Sequence, residues 1–467
     1  MRSLLVPYSL IVCFLLGGTK INAQHADLPR GVITDSVPIA ESEGYNYALY
    51  LPENYTTARK WPVVFVFDIE GKGEKALEVF RQAPGSRNFI LIGANNVENT
   101  TYESNFYTAK RLFDAVLDKF SIDRARIYLA GFGGGGRLAT AIASISRDVD
   151  GVIACGAALP GNRNYQPEKN DFIFIGMVGD EDGNYREMTG TVNSLKSKKF
   201  ESGLLVYEGD SFYPPGESID KALRMLILKS IARGAVPEGT QIVDSLLKVD
   251  MDFNRMTERR GRSLYAFEDV EQLKEDYGNY VDKNVFRERK KEIRKTGQFR
   301  KQRNDNYGVE EEESYMLSDY LSFLSADLSK GDIAQLPAWE EEIKKLEKME
   351  KGDNLARQKM ASRTKNLLES GIREVIPALD TTNTDQMLFA NAFMVLLNPD
   401  HEDAYLEVLR YSVKKGEYGM ALFYLEQLLK QGFRDVARLN AMDDIALLRI
   451  LPEYSDILEE NGLKTLY

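Results

Sequence analysis

At 467 residues the chain is too long for one ordinary core, so two or three folded units are expected. Its 43% hydrophobic and 28% charged residues are globular values, and a formal net charge of −11 argues against nucleic acid as a partner. Two histidines and two cysteines are too few for a His/Cys metal cluster.

Residues 1–23 read as an export leader. Arg2 gives the positive start, Leu4 to Leu16 the apolar stretch, and Ile21-Asn22-Ala23 a cleavage site ending on a small residue. Cys13 follows Val12 inside the apolar run, where lipid attachment would want a small residue, so no lipid anchor is expected. The expectation is an exported protein, periplasmic or secreted, with no transmembrane segment once the leader is gone. Loss of Arg2 and Lys20 with the leader makes the remainder more acidic still. Cys155 is then the sole cysteine, which rules out an intrachain disulfide, and its run GVIACGA reads as a buried strand.

Residues 24–233 carry alternating strand and helix signals. Strand-like runs are YNYALYL, WPVVFVFD, NFILIGA, RIYLAG, GVIACG, FIFIGMVG and GLLVYEG. Between them lie helical stretches such as Glu103 to Phe120, where Phe106, Leu112, Phe113, Val116, Leu117 and Phe120 share one side. This alternation predicts an α/β unit with a mostly parallel sheet and helices on both faces.

After Gly234 the strand signals stop. Residues 234–379 read as a charged helical linking region, with a basic run from Arg287 to Arg303 followed by Glu310 to Glu313. A solvated helix and loop whose charges pair or hydrate is expected there. Residues 380–467 read as all-helical. On a helix–turn–helix period of about 34 residues, Pro399 falls at the closing proline, Gly416 at the inter-helix turn and Ala421 at a small packing position. KKGEYGMALFYLEQLLKQG thus resembles a tetratricopeptide repeat, with an ordinary helical pair as the alternative, and the tail resembles the helices that close such an array.

The chemistry is expected at YLAGFGGGGRLAT, residues 128–140, where five glycines join a strand to a helix. Gly131 to Gly136 literally satisfies the dinucleotide fingerprint, but the next strand ends without the acid that binds ribose. A phosphate loop fails because Arg137-Leu138 stands where lysine and a hydroxyl residue are required. The third reading is a nucleophile elbow, G-x-S-x-G: Gly131 and Gly135 fit its glycines, and Gly133 stands at the serine.

FSIDRARIYLAGFGGGGRLATAIA resembles the helix–strand–elbow–helix unit of the α/β-hydrolase superfamily, in its esterase and dienelactone-hydrolase-like branch. PVVFVFDIEGKG and LIGANN resemble earlier strands of that group, and the resemblance runs from Tyr45 to Arg233. Carried over residue by residue, it implies Gly133 at the nucleophile position. The acid falls at Asp182, or else Asp180, and Ser211 of VYEGDSFYPPGES takes the histidine position. Asp68-Ile69 stands where the oxyanion loop commonly carries His-Gly, placing a carboxylate near developing negative charge. His25 at the extreme N-terminus and His401 beside Pro399 are not placed to act as a base.

A serine needs a base to take its proton, and the acid acts only by orienting that base. The resemblance therefore implies a catalytically degenerate triad with no cofactor and no metal. The adjacent acids Asp180, Glu181 and Asp182 read as a solvated loop rather than a calcium site. A chain without a working triad is then expected to act as a binding or scaffold protein of the cell envelope. Its partner would be an envelope protein on the C-terminal helices, with a small ligand in the hydrolase-like pocket as a further option. The alternative is an active hydrolase that does not use serine.

Overall fold

The computed structural model describes residues 28–463 apart from 41, 237 and 238. The leader, Cys13 and His25 lie outside the described residues. Eight strands form one sheet: β1 Ile33–Pro38, β2 Asn46–Tyr50, β3 Trp61–Asp68, β4 Ile90–Ala94, β5 Ile122–Phe132, β6 Gly151–Cys155, β7 Ile173–Gly179 and β8 Ser202–Tyr207. Their order is β1-β2-β4-β3-β5-β6-β7-β8. β2 runs antiparallel to β1 and to β4, and every later pairing is parallel. β3, β4, β6 and β7 are buried at every position, which is why they appear in the sequence as unbroken apolar runs. β1 was not among the expected strands; its sequence ITDSVP is half exposed, and a register shift interrupts its pairing.

Five helices cover the sheet: α1 Gly73–Arg81, α2 Tyr102–Lys119, α3 Gly134–Ile145, α4 Tyr185–Ser197 and α5 Gly216–Ala232. Alternation along β3 divides the core between two faces. Val63, Phe65 and Phe67 meet α2, α3 and α4, while Val64 and Val66 meet α1 and α5.

Every described element after α5 is helical. α6 Val243–Arg259, α7 Ser263–Tyr277, α8 Asn284–Lys295 and α9 Gly297–Asp305 share a core with Leu228 and Ile231 of α5. α10 Val309–Lys330, α11 Leu336–Glu350, α12 Leu355–Val375, α13 Thr384–Leu397, α14 Glu402–Lys415 and α15 Tyr418–Lys430 form another core, closed by short helices over 436–440, 446–449 and 452–460. α13 stops just before Pro399, Gly416 closes α14 at φ 76°, and Ala421 is fully buried. Among the described residues no helix is long and apolar enough to cross a membrane.

Most of the charged stretch is exposed and pairs or hydrates as expected, and two of its charges are buried instead. Arg289 is buried and donates to Glu258 at 2.6 Å and Asn254 at 2.9 Å. Glu313 is fully buried and accepts from Arg363 of α12 and Arg186 of α4. These helices hold apolar residues on one side only, so their charged positions meet neighbouring elements, and a charge buried there needs a partner.

Candidate functional site

β5 runs into α3 through a single residue of unusual geometry. Gly133 has φ 51° and ψ −121°, and its N–H donates to the Cys155 carbonyl at 2.8 Å. The glycines around it are needed for different reasons. A Cβ on Gly131 would overlap the Gly135 carbonyl, and one on Gly135 would overlap the Phe67 carbonyl at the end of β3. Strand and helix approach too closely there for any side chain. A Cβ on Gly133, by contrast, would meet nothing within 4 Å. The bend leaves space for a side chain, and none is there.

The ends of β3, β6, β7 and β8 surround this bend. Asp182 is buried, and its Oδ1 accepts from the Asn184 N–H at 2.8 Å. Burial pushes its carboxyl up to about 6; the Asn184 N–H opposes this, and the nearby Asp210 and Glu187 charges add to it. Asp182 Oδ2 lies 3.3 Å from the point where a Cβ on Gly156 would stand, and Phe212 crowds the same point. Ser211 is exposed instead, and its hydroxyl accepts from the Tyr213 N–H at 3.1 Å within its own loop. Asp68 is buried with both carboxylate oxygens engaged: Oδ2 accepts from the Tyr213 hydroxyl at 2.8 Å and Oδ1 from the Glu70 N–H at 3.0 Å. Ile69 lies against the first residue of α3, since a Cβ on Gly134 would stand 2.7 Å from its Cδ1. Phe132, Tyr213 and Phe212 form an aromatic cluster beside the bend, with centroids 4.9 and 4.6 Å apart.

Residues 15–164 match the family model described as acetyl xylan esterase. Combined with the strand order and the bend at Gly133, this decides the fold. The sheet is an α/β-hydrolase sheet. Among curated proteins none matches the chain. Similar solved structures include a thermostable esterase, 18% identical over 39% of this chain and 58% of its own, with a TM-score of 0.32. The S954A feruloyl esterase module from Clostridium thermocellum is 15% identical over 41% of this chain and 88% of its own, with a TM-score of 0.32. Est1E from Butyrivibrio proteoclasticus is 16% identical over 43% of this chain and 100% of its own, with a TM-score of 0.33.

Within the hydrolase fold, Gly133, Asp182 and the 211–213 loop are gathered at one end of the sheet. Phe212 rather than Ser211 is the side chain against Gly156. His401 caps α14, where its Nδ1 accepts from the Ala404 N–H at 3.1 Å. Cys155 is fully buried, and burial pushes its thiol well up.

The acidic loop is not solvated as its composition suggested. Asp180 is fully buried and ringed by cations from later helices: Arg262 at 2.9 Å and Lys359 by its side chain, and Arg363 at 2.9 Å through the backbone carbonyl. Asp180 and Asp182 therefore face different surroundings, the first an ion-pair hub and the second the bend. Among the described residues no group of three or more His, Cys, Asp or Glu side chains converges as metal ligands would. The sequence reading missed Tyr213 and Phe212, whose only signal was an aromatic pair beside the histidine position.

Proposed function

We propose that this chain is a catalytically degenerate α/β-hydrolase-like protein that acts by binding in the cell envelope. The observation that carries this reading is Gly133, which holds the backbone of a nucleophile elbow with no side chain where the attacking group belongs. Phe212 and Tyr213 in place of a histidine support it, because among the described residues no histidine stands beside the empty position. The leader signal supports an exported location. The proposed partner is an envelope protein on the C-terminal helices, read as a tetratricopeptide-like array, where Phe423, Leu447 and Ile450 present apolar side chains to solvent.

A second reading rests on Asp182. A carboxyl raised to about 6 beside an open position is suited to general-base attack by water. Turnover of an activated ester, compared with a heat-denatured control, separates the two. The binding reading expects no turnover and no labelling by a fluorophosphonate probe, and expects neither Gly133→Ser nor Ser211→His alone to gain activity, since nucleophile and base act as one unit. Wild-type hydrolysis that disappears in Asp182→Ala would establish the second reading instead.

A further inference from the structure

A cavity of about 560 Å³ lies between the β8 edge of the sheet and the later helices. It is separate from the bend at Gly133: none of residues 131–136, Asp68 or Asp182 lines it. Its walls come from α4, β8, α5, α6, α7, α9, α10 and α12, so it exists only where the two halves of the chain meet. Its size and its position at a junction are those of small-molecule sites, which run to roughly 300–1,000 Å³.

The charges on its walls are unevenly matched. Every lysine and arginine lining it is held in an ion pair: Arg186 and Arg363 on Glu313, Arg262 and Lys359 on Asp180, Lys196 on Glu275, and Arg260 on Glu217. Glu268 of α7 is different. Among the described residues it has no ion pair and no hydrogen bond, although its side chain is open to the cavity. The side chain stays exposed to water through the cavity, while the protein around it pushes the Glu268 carboxyl up to about 7, and the charge of Glu310 adds to this. Tyr185, Phe253 and Leu264 supply ring and aliphatic surface to the same space. The lining cations are turned onto carboxylates behind the wall, two of which are shared, whereas the Glu268 carboxylate faces the space with no partner among the described residues.

We propose that this cavity binds an organic cation, a primary ammonium on an apolar or aromatic body, with Glu268 as its counter-ion. The ammonium donates to the Glu268 carboxylate while its body lies against Tyr185, Phe253 and Leu264. This site is independent of whether the hydrolase-like centre turns over, so the two readings fail separately.

The test uses the full chain and three probes of one shape, phenethylamine, phenethyl alcohol and phenylacetate, titrated calorimetrically at pH ~8.5, where the Glu268 carboxyl is ionised and the amine still protonated. The amine is expected to bind about tenfold more tightly than the alcohol, the worth of one charge-assisted hydrogen bond, and phenylacetate more weakly than either. Glu268→Gln should bring the amine to the level of the alcohol and leave the alcohol unchanged. Gly190→Phe gives a second variant that does not touch Glu268. Gly190 lines the cavity, and a Cβ there would meet nothing within 4 Å, so the ring can fill the space and should remove binding of both amine and alcohol. Equal or tighter binding of phenylacetate, an amine preference kept in Glu268→Gln, or no binding of any probe to the wild-type chain would overturn the proposal. If Glu268→Gln does not fold, the wild-type order of the three probes and the Gly190→Phe result decide it.

Discussion

A methyl group added at Gly131 or Gly135 would overlap a backbone carbonyl, which cannot move aside as a side-chain tip can. At Gly133 the same methyl meets open space and only the positive φ opposes it. Alanine at 131 or 135 should therefore cost more than about 3 kcal/mol or prevent folding, and alanine at 133 about 1–2 kcal/mol. Urea unfolding of the three variants checks this, and equal costs would mean that the bend has relaxed. Asp182 tests the electrostatics of the same site. Its folded carboxyl holds a proton up to about pH 6, against 3.8 for a free one. Folding is therefore most favoured below 3.8, loses stability as pH rises to about 6, and carries a constant penalty above that. Asn keeps an oxygen for the Asn184 N–H and carries no charge. Asp182→Asn should be more stable than wild type at pH ~8, by up to ~3 kcal/mol, with the gap closing toward pH ~4. A gap independent of pH would show that the carboxyl is not desolvated.

Buried charge has the same consequences at the scale of whole elements. Glu313 joins α10 to α12 through Arg363 and to α4 through Arg186, with its side chain fully buried. Glu310, one turn earlier, also reaches Arg186 but is 81% exposed. Glu313→Gln should cost about 3–5 kcal/mol because two arginines lose their counter-charge, while Glu310→Gln should cost less than about 1 kcal/mol. Thermal unfolding of the pair checks it; similar losses would mean that water reaches Glu313. These partners also show where sequence stops being informative. The seven apolar strands could be read because a strand buried on both faces carries its environment in its own residues. β1 could not, since an edge strand with exposed polar positions looks like a loop. The glycine clashes at 131 and 135 were legible because they are local. The Asp68–Tyr213 bond spans 145 residues and the Arg186–Glu313 bond 127, and a sequence gives the sign of a charge without its partner. Asp180 and Glu313 were read as solvated for this reason.

Across the whole molecule the two halves meet through opposite charge as well as apolar contact. α5 presents Lys221, Arg224 and Lys229, which pair with Asp269 of α7, Asp250 of α6 and Asp276 of α7. The arrangement reverses at the end of β7, where Asp180, the residue after the strand, meets Arg262, the residue before α7, and Lys359 of α12. Sheet and helices thus carry complementary patterns on two separate surfaces, which fixes how they dock. The same pattern bears on what a chain ended at Arg233 would do. Its newly uncovered α5 face would be largely basic, so water would replace the lost ion pairs and no charge would be left buried alone. The apolar loss falls mainly on Leu228 and Ile231, which pack against α6 to α8. Exposing both removes roughly 3–6 kcal/mol, within the 5–15 kcal/mol typical of a folded domain. The truncated chain should therefore stay soluble and cooperatively folded, with a lower Tm than the full chain by calorimetry. Its sheet core, divided between the two faces of β3, loses no residue to the cut. An insoluble product would mean that the later helices complete the core of the sheet rather than dock onto it, and the division at Arg233 would then be wrong.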